Sequence, residues 1–223
     1  MLTLALDTAN DRIAAALLGE RVAVSRIEEI TRGHAERLFP LIDELFVEAG
    51  RTIANVSRIA VNIGPGSFTG IRIAVAAARG LGVALNVPVV GVDALRLIAA
   101  SLDEPADGPV LSAIDARRGE VYAGLYGPKG EVIEAPFAAE AEEVLARVGD
   151  RAIVMAGSGA AILSHQAAVN GRRVLPIDAM TGTNPLALAR LGAAADPALS
   201  PARPLYLRAP DAKAQAPIPG LLA

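Results

Sequence analysis

The chain reads as an α/β protein of two lobes, each running β-β-β-α-β-α. Three observations predict this. Residues 6–19, LDTANDRIAAALLG, align without a gap to residues 114–127, IDARRGEVYAGLYG, which sets Asp7 on Asp115, Ala15 on Ala123, Leu17 on Leu125 and Gly19 on Gly127. The elements that follow each copy come in the same order. Each half also carries a glycine loop between a β-type run and a helix, GPGSFTG at 64–70 and GSGA at 157–160. Self-similarity of this kind marks a duplicated unit.

Each copy of the repeat reads as a strand, a sharp turn at Asp and a second strand closed by Gly. RVAVSRIEE, 21–29, then alternates as a third strand. A helix is expected over about 34–49, where Leu38, Leu41, Ile42, Leu45 and Ala49 recur on one face. A strand at 58–63 and a helix at about 68–86 follow, with Ser67 or Thr69 as the cap. The second half offers a strand at 131–137, a helix at about 138–148, a strand at 151–156 and a helix at about 160–169. This order places Asp7 and Asp115 at strand ends facing a cleft. The polar, Pro/Gly-containing segment 101–109 is the expected hinge between an N-terminal lobe, 1–100, and a C-terminal lobe, 101–205. A last helix at about 184–195 is expected to pack back onto the first lobe, and 206–223 reads as a Pro/Ala-rich tail.

A hydrophobic fraction of 52% with 20% charged residues fits an ordinary globular protein. With four Phe, three Tyr and no Trp, aliphatic side chains must fill the core. The formal charge of −3 lacks the cation surplus that a stand-alone nucleic-acid binder needs, although Arg117–Arg118 and Arg172–Arg173 form local pairs. No Cys is present, so disulfides and thiolate metal sites are excluded. His34 and His165 lie far apart, and no metal site is expected; a lone His at a helix start reads as a cap or surface residue. The opening MLTLALDTAN lacks a basic segment ahead of an apolar stretch, so no signal peptide is expected. The apolar segment 71–92 contains Arg72, Arg79 and Pro88 and reads poorly as a membrane span. The expectation is a cytoplasmic protein without a membrane partner.

GPGSFTG has neither the Lys of G-x-x-x-x-G-K-[ST] nor the spacing of G-x-G-x-x-G. Its glycines permit close backbone approach, and the helix start behind them favours an anion. A tight strand-to-helix turn and a phosphate cradle are both compatible with it. Asp7-Thr8, Asp115, Gly157 and Gly159 resemble the phosphate and adenosine elements of the actin, Hsp70 and sugar-kinase superfamily, where a carboxylate positions hydrated Mg²⁺. Here bulky Arg117 and Arg118 follow Asp115 where a phosphate-hugging turn prefers Gly. The five residues therefore read as a vestigial nucleotide cleft, with no cofactor required and ATP or ADP binding left open.

ALDTA at the start, GHAERLFPLIDELF, NIGPGSFTGIRIAVAAARGLG, PVVGVDAL, DARRGEVYAGLY, GSGA and PLYLR closely resemble the bacterial TsaB (YeaZ) family, in order and over nearly the whole chain. One departure is Ala9, where the family usually has Ser. The resemblance implies the two-lobed actin/Hsp70/sugar-kinase-like fold. It also implies a place in making threonylcarbamoyladenosine beside the tRNA anticodon. In that system TsaD transfers the threonylcarbamoyl group from an adenylate, TsaE is an ATPase, and TsaB is a non-catalytic partner that TsaD requires, meeting tRNA only through the complex. TsaD-like paralogues carry two metal-binding His after the corresponding Gly-Val. Here GVDALRLIAA puts Ala94 and Ile98 at those positions, and neither has a lone pair to give. No catalytic residue is therefore expected. A weak ATPase or kinase-like enzyme, or a peptidase, of the same fold is the alternative, although H-E-x-x-H is absent.

A non-catalytic partner should show its function as surface. Phe39 and Phe46 form a second row beside the core face of the 34–49 helix. In the next helix Ala76, Gly80 and Ala84 form a small-residue stripe, with Arg72 and Arg79 on one edge. By the resemblance, Leu38, Phe39, Ile42, Phe46, Ile73, Ala76, Gly80 and Ala84 form the surface for homodimerisation and for TsaD.

Overall fold

The computed structural model describes residues 1–102, 106–128, 130–178 and 182–208. The first half comprises β1 (Thr3–Asn10), β2 (Arg12–Gly19), β3 (Val22–Glu29), α1 (His34–Ala49), β4 (Arg58–Asn62), α2 (Phe68–Leu85), β5 (Val89–Val92) and α3 (Ala94–Ala99). The second comprises β6 (Val110–Asp115), β7 (Glu120–Tyr126), β8 (Val132–Glu140), α4 (Ala141–Val148), β9 (Val154–Ala156), α5 (Ala160–Val169), β10 (Ile177–Asp178) and α6 (Pro185–Ala194).

The strands form two five-stranded sheets of identical order, β3-β2-β1-β4-β5 and β8-β7-β6-β9-β10. In each, three strands meander antiparallel and the next two join in parallel. The duplication holds at the level of topology but needs one gap. Asp7 pairs with Ala14, whereas Asp115 pairs with Val121, so the first turn holds one residue more and shifts register between Asp7 and Asn10. The elements β5, α3 and β10 were not anticipated. β8 runs to Glu140 and α4 starts later than expected, because Ala138 and Ala139 pair with Tyr122 and Val121. β9 is shorter, because residues 149–151 form a 3₁₀ turn.

Both faces of each sheet are covered, which is why β1 is buried on both sides from Thr3 to Ala9. Leu4 and Leu6 point to one face and pack with Leu41, Leu45 and Ile71 of α1 and α2. Ala5 and Ala60 point to the other, under Leu188 and Leu191 of α6. In the second sheet, Leu111 and Ala123 meet α4 and α5, while Val110 and Tyr126 meet Leu95 and Ile98 of α3. The halves thus exchange helices, α3 covering the second sheet and α6 the first. Arg58 of β4 fastens α6 by donating to the carbonyls of Gly192, Ala193 and Ala195 at its C-terminal end, where a cation complements the helix dipole. Asp93 fastens α3: its Oδ1 accepts from the Arg96 amide at 2.8 Å and from the Tyr126 hydroxyl at 2.7 Å. Burial pushes the Asp93 carboxyl and the Tyr126 hydroxyl above their ordinary ranges. The expected hinge overlaps residues 103–105, and the expected tail overlaps 209–223. Both of those stretches lie outside the described residues.

α2 is long and apolar enough, by length and composition alone, to cross a membrane. It is placed as a sheet cover, with Ile71, Ala74, Val75 and Ala78 buried on β1 and β4. Beside it, α1 is held to β3 by ion pairs. Arg37 donates through Nε to Glu28 at 2.8 Å and through Nη1 to Glu44 at 2.7 Å, and Arg26 pairs with Glu48 at 2.8 Å. Hydrogen bonds from Arg37 hold the Glu28 and Glu44 carboxyls below their ordinary value of 4.5. A depressed folded pKa contributes stability that is present above the unfolded value and is lost as pH falls through the folded one. The melting temperature should therefore drop as pH falls below 4.5, and Arg37→Ala should flatten that part of the drop in a pH series of thermal melts. An unchanged acid limb in the variant would sink the assignment.

Candidate functional site

The glycine loop of the first half lies against the β1–β2 turn. Ser67 caps α2, its hydroxyl accepting from the Gly70 amide at 3.2 Å, and its own amide donates to the Ala9 carbonyl at 2.7 Å. A Cβ on Gly66 would overlap the Ala9 carbonyl oxygen, and one on Gly70 that of Thr8. The glycines thus bring α2 into backbone contact with the turn. The space a phosphate would need is filled by the chain itself.

Asp7 is buried and fully engaged. Its Oδ1 accepts from the Asn62 amide at 3.0 Å and the Ala9 amide at 2.9 Å, and its Oδ2 accepts from the Thr183 hydroxyl at 2.9 Å. Thr8 is buried too and donates its hydroxyl to the Gly70 carbonyl at 2.6 Å. In the second half Gly157 adopts φ +94° and Gly159 presses on β6, its amide donating to the Ala113 carbonyl at 3.0 Å. Asp115 accepts from the Arg117 amide at 2.8 Å within a turn where Arg117 and Arg118 both have positive φ.

A cleft of about 410 Å³ does lie between the sheets, lined by Asn10, Arg12, Ala94, Ile98, Gly157, Ser158 and Thr183 among others. Of the five expected cleft residues only Gly157 lines it; Asp7 and Asp115 do not face it as expected. The reason is the Asp7–Thr183 bond, which turns the carboxylate toward the segment entering α6. The next residue, Asn184, donates its amide to Ser101 Oγ at 2.9 Å, and that hydroxyl donates to Leu97 of α3 at 2.6 Å. The cleft floor is a chain of protein–protein bonds. A nucleotide and its Mg²⁺ do not fit the phosphate side of this site. Ala94 and Ile98 face the cleft with hydrocarbon.

The outward face of α1 and α2 divides the eight expected surface residues. Leu38, Ile42 and Phe46 are buried in the core under the first sheet, which corrects their assignment as contact residues: the i, i+4 row they share faces the sheet, where α1 packs on β2 and β3. Phe39 is half exposed, Ala76, Gly80 and Ala84 are exposed, and Ile73 is partly so. Gly80 has nothing within 4 Å of where a Cβ would stand. Val47 and Val83 stand almost fully in solvent on the same two helices.

Residues 22–177 match the TsaD family, described as tRNA N6-adenosine threonylcarbamoyltransferase. YeaZ from Pseudomonas aeruginosa has the same fold with a TM-score of 0.77 and 32% identity, over 92% of this chain and 99% of that one. The chain belongs to the TsaB/YeaZ family. The TsaB proteins of Escherichia coli and Bacillus subtilis are 35% and 36% identical over 127 and 135 residues. Those matches span 56% and 60% of this chain, and 55% and 58% of the relatives' length. The fold is the actin/Hsp70/sugar-kinase-like one that the motifs implied.

Two features of this TsaB/YeaZ chain were missed in the sequence. Thr183 and Asn62 occupy Asp7, and no motif in the sequence pairs them with it. Arg72 lies flat on Phe68, 3.6 Å from the ring centroid, with its Nε donating to the Tyr206 hydroxyl at 2.9 Å. Here a signal was available: Phe68 and Arg72 stand four apart on one helix, and Tyr206 falls in the PLYLR motif.

The loop reading predicts that Gly70→Ala destabilises the chain by about 1–3 kcal/mol through overpacking against Thr8. Urea unfolding measures it, and a variant as stable as the parent would show the loop to be open.

Proposed function

We propose that the chain is a non-catalytic subunit required for N6-threonylcarbamoyladenosine formation on tRNA, working in the cytoplasm. It dimerises with a TsaD-type partner, acts with TsaE and also self-associates through the same helices. It requires no nucleotide or metal of its own. The lobes serve as a rigid body, 1–100 presenting the partner helices and 101–205 completing the fold.

The observation that carries this reading is the outer face of α2. Ala76, Gly80 and Ala84 repeat at spacing four on the solvent side, and Gly80 touches nothing. Small residues at this spacing let a second helix approach closely, and Phe39 with Val83 supplies apolar flanks, as at a helix-bundle interface. The closed glycine loop and the occupied Asp7 support a role without chemistry. So do Ala94 and Ile98, which offer no ligand atoms to the cleft. The names of the TsaB relatives supply the pathway.

Burying Phe39 at such an interface contributes about 1.5–3 kcal/mol. Phe39→Asp combined with Gly80→Arg is expected to abolish co-elution with TsaD while the chain keeps its melting transition, since both sites face solvent. In a reaction containing TsaD, TsaE, tRNA, ATP and the adenylate, modification should depend on this chain and fail with the double variant. Modification without the chain, or nucleotide turnover by the chain alone, would overturn the proposal.

A further inference from the structure

A groove of about 820 Å³ runs between the C-terminal half of α2 and the segment 201–203, with Arg79 and Arg203 on it and no carboxylate in its lining. The same α2 edge carries Arg72, two turns before Arg79, and the same segment continues to Tyr206. Phe68, Arg72 and Tyr206 are packed into one exposed cluster: the two rings lie 5.7 Å apart, and each is about half exposed. Arg26 of β3 and Arg37 of α1 pair with Glu48 and Glu28, and Arg147 and Arg151 pair with Glu134 of β8. Among the described residues, Arg72, Arg79 and Arg203 have no carboxylate within ion-pair distance. Unmatched cations and preorganised flat surfaces therefore coincide on one strip.

We propose that this strip binds a single-stranded segment of RNA directly, with backbone phosphates on Arg79 and Arg203 and a base stacked on the Phe68–Arg72–Tyr206 cluster. The proposal deepens the function above and rests on it for RNA as the substrate class. A phosphate backbone takes discrete cations along a groove, and unpaired bases stack on aromatic rings or on guanidinium planes. Arg72 is held over the Phe68 ring and bonded to the Tyr206 hydroxyl, and it stays exposed, so the cluster offers a preorganised surface to a base. An acidic peptide would satisfy the arginines but leave the rings without a partner, so RNA fits the whole strip better. The overall charge of −3 makes the contact local.

The test is fluorescence anisotropy of a labelled single-stranded oligoadenylate and of an unmodified tRNA transcript, titrated with the full chain across a salt series. An oligoglutamate peptide is the protein-like comparison. Each single-strand phosphate contact contributes about 0.7 to the salt slope. Arg79→Ala with Arg203→Ala should then lower the slope by about 1.4 and weaken binding by roughly 25-fold at about 0.1 M salt. Tyr206→Leu should weaken it by about 5-fold or more with no change in slope. Arg21→Ala, on the β2–β3 turn, should leave both unchanged. All these side chains are exposed or half exposed, and thermal melts confirm that the variants fold. Equal RNA affinity and slope in the double variant and the parent would overturn the proposal. So would binding of oligoglutamate in preference to RNA, which would make the strip a surface for an acidic protein. A reaction with TsaD and TsaE separates the two readings: modification that needs the chain but ignores the double variant refutes the strip alone, whereas modification without the chain refutes the function.

Discussion

Covering both faces of both sheets is the constraint on which the rest of this molecule depends. Each half supplies two helices to one face of its own sheet and needs a third for the other. That third helix comes across the cleft, α3 onto the second sheet and α6 onto the first. Neither sheet is complete without the opposite half of the chain. The polar bonds at the crossing follow from this exchange. Arg58 must hold the end of α6, and Asp93 must hold both α3 and Tyr126.

The same exchange engages the Asp7 carboxylate. The segment that enters α6 passes beside Asp7, and Thr183 takes the oxygen that a hydrated cation would otherwise use. Asn184 and Ser101 then join the end of α3 to the start of α6. Hydrogen bonds to a buried carboxylate contribute about 1.5–3 kcal/mol each, so freeing Asp7 for a ligand would need replacement bonds of equal strength. At the glycine loop the exclusion is steric, because Ser67 and Ala9 are already in backbone contact. What remains is a cleft with Ala94, Ile98 and Gly157 on one side and Asn10, Asp11, Arg12 and Glu29 on the other.

Much of this was legible in the sequence, and the exceptions have physical causes. α1, α2, α5 and α6 fell within a residue or so of expectation, because 3.6-residue periodicity and caps mark helices locally. β5 and β10 were missed because four- and two-residue strands are too short for periodicity, and α3 because one and a half turns carry no face. The ungapped repeat was misleading by one residue, since an insertion in a turn leaves both flanking patterns intact. Leu38, Ile42 and Phe46 were placed on the partner surface by the resemblance, although the periodicity set Leu38 and Ile42 on the core face; a wide apolar stripe does not reveal that one sheet also covers Phe46. The orientation of Asp7 depended on Thr183, a contact across most of the chain that no local pattern announces.

Two glycines two residues apart, on opposite sides of α2, mark its fold-facing side and the side proposed for a partner. Each costs up to about 1 kcal/mol of helix propensity relative to alanine. At Gly82 the fold uses the gap, because a Cβ there would collide with Val89 as β5 passes beneath the helix. At Gly80 the chain itself gains nothing, for the space above is empty. The proposed partner helix would enter that space and offset the penalty. The neighbouring Ala76 and Ala84, with Phe39 half exposed beside them, define its shape as the width of one helix. The loop GPGSFTG, with its own cradle closed, fixes the start and direction of that helix.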